Sequence, residues 1–416
     1  MSVVVFLSGI TMGDALGSAG RDLGSIFERL GLRFVEISLA KPEAPALLNK
    51  MVNEAPIQFV FSFAGMGAEM KGTREDGKET NLWEGLRVPF LSLYGDSPSY
   101  FFDRHVLPGT FFAGLYGFPE HSHLRKRLPG VAGLLATIPP TTLDLMDKKS
   151  IDFSKKEKGK LLFLKNGNDP DWLLSAWRRS VPEPVFVMLT DLASELMSQM
   201  HTDLGNDLDA LVCSSFQSKG WDIEALVNLR LFFIAQLDDY LRRLKSTFIV
   251  EALLDLPIEI HGYNWEHVDF SNRRAKLITV ADYAKSKSLI KESLALLDMS
   301  PNTAMAPHDR PTRAFGMYTL CLTNEQEYFN RNLPLHDAFS FRFEEESLKS
   351  KVSEVLSNPR RSVELGIEVA ESFNNGREPE VLGRFLMDTA SNIRLANAGR
   401  LPDLPDYFVW PPATAN

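Results

Sequence analysis

Residues 294–325 read LALLDMSPNTAMAPHDRPTRAFGMYTLCLTNE, and this stretch decides the fold. LALL is a short apolar run suited to a buried strand, and a polar loop holding Asn302, His308, Asp309 and Arg310 follows it. A helical pattern begins near Asp309, and a second apolar run, TLCLT, ends at Asn324 and Glu325. Strand, loop, helix and strand in that order make a βα unit of a parallel sheet. Open α/β sheets bind ligands beyond the carboxyl ends of their strands, where a helix N-terminus favours an anion. His308 and Arg310 would add donors to those backbone N–H groups, so diphosphate is the first ligand this loop suggests.

The same grammar recurs on both sides of this stretch. Residues 2–7 form an apolar run, followed by the glycine-rich SGITMGDALGSAG and an amphipathic helix reaching about residue 30. Further strands are expected at 33–38, 59–63 and 88–94, with a helix at 42–53. The first unit is expected to span 1–150, because DKKSIDFSKKEKGK (147–160) reads as a solvated linker. LLFLKNGNDPDW (161–172) then opens a second unit, 151–378, with Pro170 in the first turn of a helix. Within it, 171–255 is mainly helical, its aromatic and leucine stripe fit for core packing, before strands resume at IEIHGYNW (258–265) and KLITV (276–280). Residues 379–416 would be a closing helix and a Pro-rich tail that packs back across both domains without regular structure.

Composition narrows the function classes. The chain has 416 residues with 54 acidic against 45 basic side chains, a net charge of -9, which argues against a nucleic-acid partner. Cys213 and Cys321 sit in apolar segments without zinc spacing, and are expected as buried free thiols in a reducing compartment. The first residues lack a basic region and a cleavage site, so they read as a core strand. No apolar run nears the ~20 residues of a spanning helix. A cytoplasmic α/β protein is expected, with a short basic run, LRKRLPG (124–130), and the tail as its candidate membrane contacts.

Candidate site residues cluster at strand ends. Asp96, in LYGDSPSYFFD, follows a buried strand and could accept a proton from a substrate hydroxyl, or else close an Asx turn with Ser97. Asp14 is a second candidate base, or the cap of the first helix. The glycines around it are not spaced G-x-G-x-x-G, which argues against a dinucleotide. Asn168 sits in the loop after LLFL, and His261, Gly262 and Asn264 in the loop after IEI, where Tyr263 or Trp265 could cover a flat ring or Trp265 could be buried in a turn. Asn324 and Glu325 could accept from ribose hydroxyls, although Glu325 also suits an exposed helix start. His105, His121 and His123 follow Asp96 nearby; His121 and His123, in HSH beside a basic run, read as surface, and no metal site is expected.

Residues 294–373, from the Asn302 and Ala-Pro-His-Asp-Arg stretch to SNPRRSVELGIEVAESF, resemble the CgeB-like (spore-maturation-type) group of GT-B glycosyltransferases. LPIEIHGYNW, FVFSFAGMG and VPFLSLYGDSP carry a weaker likeness. The resemblance implies two facing Rossmann-like domains, here with a helical insertion in the C-terminal half, and a nucleotide-sugar as substrate, without metal or other cofactor. It implies donor contacts at Asn302, His308, Arg310 and Glu325, beside the Asp309 helix start. Arg313 stands where that group usually has a glutamate, and Met305 and Arg313 occupy the places of the acid pair found in many retaining relatives. The expected acceptor is a glycan, a lipid-linked glycan or a protein, and the helical stretch could serve specificity or a homodimer. Two rival readings are a nucleotide-sugar isomerase or epimerase on the same architecture, and a non-catalytic glycan- or nucleotide-binding protein.

Overall fold

A computed structural model describes residues 2–9, 14–74, 76–130, 133–200, 207–278, 283–398 and, for the backbone, 408–409. They form two compact units, one within 1–141 and 378–416, the other within 142–377.

The first unit is built on β1 Val3–Ser8, β2 Arg33–Ser38, β3 Ile57–Phe63, β6 Phe90–Tyr94, β7 Phe112–Tyr116 and β8 Leu134–Thr137. A small hairpin, β4 Lys71–Arg74 and β5 Glu79–Asn81, lies between β3 and β6 in the chain. The six main strands are parallel and ordered β2-β1-β3-β6-β7-β8. Consecutive valines and phenylalanines in β1 and β3 mark strands covered on both faces. Val3, Val5 and Leu7 of β1 are fully buried, each contributing about 1.5–3 kcal/mol. β7 and β8 were not expected from sequence: β7 carries a glycine and an alanine among its five residues, and β8 is only the four residues LLAT. The helix Pro379–Asn397 belongs to this unit, with Glu380 paired to Arg29 and Arg394 donating to the Ile57 carbonyl. Residues 399–407 and 410–416 lie outside the described residues, but Phe408–Val409 (β15) pair antiparallel with β4, so the tail holds a short piece of regular structure.

The second unit holds β9 Leu161–Leu164, β10 Ile258–His261, β11 Lys276–Ile278, β12 Ala295–Leu297, β13 Leu320–Asn324 and β14 Ser340–Phe341. All are parallel, in the order β11-β10-β9-β12-β13-β14. Residues 147–160 are part of this unit and are not merely a solvated linker: Lys156 is buried, and its ammonium donates to Thr319 Oγ1. Burial, with Lys291 nearby, lowers the Lys156 pKa to about 7. The helical stretch comprises Pro170–Ser180, Glu183–Gln199, Leu208–Ser218 and the 27-residue Val227–Leu253. That last helix buries Leu231, Phe233, Ile234, Leu237, Leu241, Ile249 and Val250, which confirms its stripe as core. No helix among the described residues is long and apolar enough to cross a membrane.

Candidate functional site

Strand order decides which loops of the second unit meet. From β9 the chain builds outward through β10 and β11, then returns to place β12 on the other flank of β9. This reversal is the switch point at which open α/β sheets leave a crevice. β9 ends at Leu164 and β12 at Leu297, paired in adjacent register, so Lys165 and Asp298 leave the sheet as neighbours. A cavity of about 460 Å³ opens here, lined by Leu164, Lys165, Asn166, Asn168, His261, Ser286, His308, Asp309, Arg310 and Arg313.

The helix Asp309–Gly316 aims its N-terminus at this cavity. His308 occupies the N-cap position without a side-chain capping bond, and Pro311 removes one backbone donor from the first turn. Backbone N–H groups are therefore fewer than the sequence suggested, and side chains carry more of the positive potential. Arg310 donates from Nη1 to the Leu164 carbonyl at 2.6 Å, while its Nε lies 2.8 Å from Asp298 Oδ1. The His308 ring stands between two carboxylates, 3.6 Å from Asp298 through Nδ1 and 3.0 Å from Asp309 through Nε2. Desolvation in this niche raises the Asp309 pKa, but His308, Arg310 and Arg313 outweigh it and hold the carboxyl below its ordinary value.

Sequence reasoning passed over Lys165 and Arg313 as ligand contacts. Arg313 lies one helical turn beyond Arg310, on the same face, a spacing that could have found it. Its guanidinium donates to Asp144 at 2.9 Å and to Ser286 Oγ at 3.1 Å, and lies 4.3 Å from the Tyr283 ring centre. Lys165 has no carboxylate within ion-pairing distance among the described residues. Burial, then the charges of Arg310 and Arg242, depress its pKa to about 8.

The loops opposite are fastened to each other. Tyr263 N–H donates to Asn166 Oδ1, and Asn264, in a left-handed conformation, donates to Asn168 Oδ1, both at 3.0 Å. Gly262 is required by packing, since a Cβ there would stand 2.0 Å from the Lys165 carbonyl oxygen. Trp265 is buried, its indole N–H donating to that same carbonyl, so it is a turn residue and does not cover a ligand. His261 is buried in the cavity wall, and neither ring nitrogen has a hydrogen-bond partner among the described residues.

Other expected residues do not line the cavity. Asn302 is buried in a left-handed turn, accepting from Lys245 Nζ and donating to Asp238 Oδ1, both at 2.8 Å. Asn324 accepts from Ser300 N–H at 2.7 Å and shapes the loop after β12. Glu325 pairs with Arg342 at 3.0 Å. Asp96 is exposed after β6 and makes no hydrogen bond or ion pair among the described residues; the turn there uses Ser97, whose Oγ accepts from Ser99 N–H. Asp14 does not cap the first helix but pairs with Arg21. Gly13, in the same glycine-rich turn, lies outside the described residues.

Two side chains, His121 and Cys213, depart from expectation in burial. His105 and His121 are buried, and only His123 is exposed. His105 stacks on Tyr94 at 4.0 Å, and burial lowers its pKa to about 3. Cys321 is a buried thiol, whereas Cys213 is half-buried.

No family model matches this chain, and no curated protein matches it in sequence. Solved structures are similar in fold. An α-glucosyltransferase in complex with UDP and a 13-mer DNA aligns with a TM-score of 0.50 at 8% identity, over 94% of this chain and 100% of that one. Sucrose-phosphate synthase from Thermosynechococcus elongatus gives 0.49 at 8% identity, over 95% and 100%. HepE from Anabaena in complex with UDP gives 0.46 at 10%, over 94% and 100%. The first of these carries the assignment of fold: two Rossmann-like units of the GT-B kind, as the sequence led one to expect.

Proposed function

We propose that this chain is a glycosyltransferase that takes a sugar from a nucleotide-sugar donor, and that its second unit holds the donor. The observation that carries this reading is the cavity at the β9/β12 switch point, where Lys165, His308, Arg310 and Arg313 converge. Transfer of the sugar breaks its bond to the diphosphate and leaves negative charge on the departing oxygens. Arg310 and Lys165, with the His308 helix start, would stabilise that charge from fixed positions. His261 supplies a buried imidazole for the donor's polar groups. Asp96, exposed on the first unit, is the candidate base toward an acceptor hydroxyl on a glycan, a lipid-linked glycan or a protein. The likeness at 302–310 supports the CgeB-like group, and with it metal-independent catalysis, as the finer reading, while the free thiols of Cys213 and Cys321 support a cytoplasmic setting.

Thermal unfolding with a panel of UDP, dTDP, GDP and their sugars tests the proposal. A nucleoside diphosphate at about a hundred times its Kd is expected to stabilise the chain by ~2.7 kcal/mol. No response to any of them at millimolar concentration removes the donor reading.

A further inference from the structure

Asp298 was not marked by the sequence as a site residue, and it does not line the cavity. Its side chain is 0% exposed, one residue beyond β12, and its N–H continues the ladder by donating to the Leu322 carbonyl at 2.8 Å. Neither carboxylate oxygen accepts a hydrogen bond among the described residues. Arg310 Nε is 2.8 Å from Oδ1 but off the N–H direction, so the two form an ion pair. His308 Nδ1 stands 3.6 Å from the same oxygen. A buried carboxylate with so little solvation costs several kcal/mol, and an apolar side chain would suit the interior there better. Stability alone does not explain Asp298.

We infer that Asp298 is a positioning residue that locks Arg310 and His308 into one preformed anion-binding unit. With Nε drawn to Asp298 and Nη1 bonded to the Leu164 carbonyl, the guanidinium plane is fixed at two points and Nη2 is left for a ligand. The same carboxylate faces the His308 ring from the sheet side, while Asp309 faces it from the helix. This role rests on the donor reading above, because it acts through residues assigned to the diphosphate.

Asp298→Asn separates positioning from plain electrostatics by the sign of its effect. Removing a negative charge near an anion site, with nothing else changed, tightens anion binding. Loss of positioning weakens it. We expect calorimetry with UDP and with inorganic pyrophosphate to show affinity at least about tenfold weaker in D298N, or ~1.4 kcal/mol. In an Arg310→Ala/His308→Ala background the same change should have an effect below about twofold, as coupled residues require. Equal or tighter binding by D298N, or the same loss in that background, overturns the role of Asp298. If the parent chain binds neither probe, the donor reading fails and takes this inference with it. Should D298N not fold, Arg310→Lys replaces it: it keeps the charge but cannot span Asp298 and Leu164, so parental affinity there refutes the inference.

Discussion

Each unit of this chain holds an arginine in or partly in its interior, and the two are used in opposite ways. Arg125 of the first unit is 0% exposed, and its guanidinium donates to the carbonyls of His105, Leu128, Pro129 and Gly130. Arg310 of the second unit has one carbonyl and one carboxylate, and a nitrogen left over beside a cavity. An arginine whose three nitrogens all donate to backbone is a clamp for a loop. One that keeps a donor free at a switch point is available to a ligand. Buried charge alone identifies neither role; the count of satisfied donors does.

Substitutions can break that contrast. The largest effect is expected from Arg125→Met, which takes the donor from four carbonyls, those of His105 and Leu128 in buried bonds, and should cost on the order of 4 kcal/mol in urea unfolding. Nucleotide affinity, measured on whatever remains folded, should not change; a parallel loss of affinity would erase the distinction. Arg310→Ala should instead weaken UDP binding by roughly 10- to 100-fold, and because it strands the buried Asp298 carboxylate it should also cost about 3–5 kcal/mol of stability. Activity and affinity within a few-fold of the parent would remove Arg310 from the site.

Lys165 sharpens the comparison through pH. Its pKa of about 8 lies below the ordinary lysine value, so between pH 8 and the unfolded value near 10.4 the unfolded chain binds more protons. The free protein should therefore gain stability from this group as pH rises through that window. Anion affinity should fall over the same range, because the neutral amine no longer attracts phosphate. Lys165→Met should flatten both trends, and an unchanged affinity profile would assign the titration elsewhere. The smallest effect is expected at Asp14→Asn: its pair with Arg21 is solvent-exposed, and loss of less than about 1 kcal/mol with no change in UDP binding is predicted. A large fall in turnover with stability intact would restore Asp14 as a base.

These arginines also show what was legible in the sequence. The βα grammar was plain because strands such as VVVFLS and LCLTN are apolar on both faces, and the polar elbow at His308–Arg310 stood next to one of them. Lys165 and Asp298 become neighbours only because β9 and β12 pair, and nothing in a linear reading fixes that order. Asn302 looked like a ligand contact because it is polar and precedes a helix. Its partners, Asp238 and Lys245, lie far away in the chain, and they consume its side chain. Arg125 was hidden for the same reason, inside what read as a surface basic run.

The tie between Asn302 and the helix Val227–Leu253 has a practical consequence for anyone trimming this molecule. The long helix is not detachable ornament, and neither is Asp209, which pairs with the buried Arg230 on it. Cut the helix away, and the left-handed corner at Asn302 loses both fasteners, leaving the segment that runs on to His308 to ties such as the Tyr328 N–H on the Ala304 carbonyl.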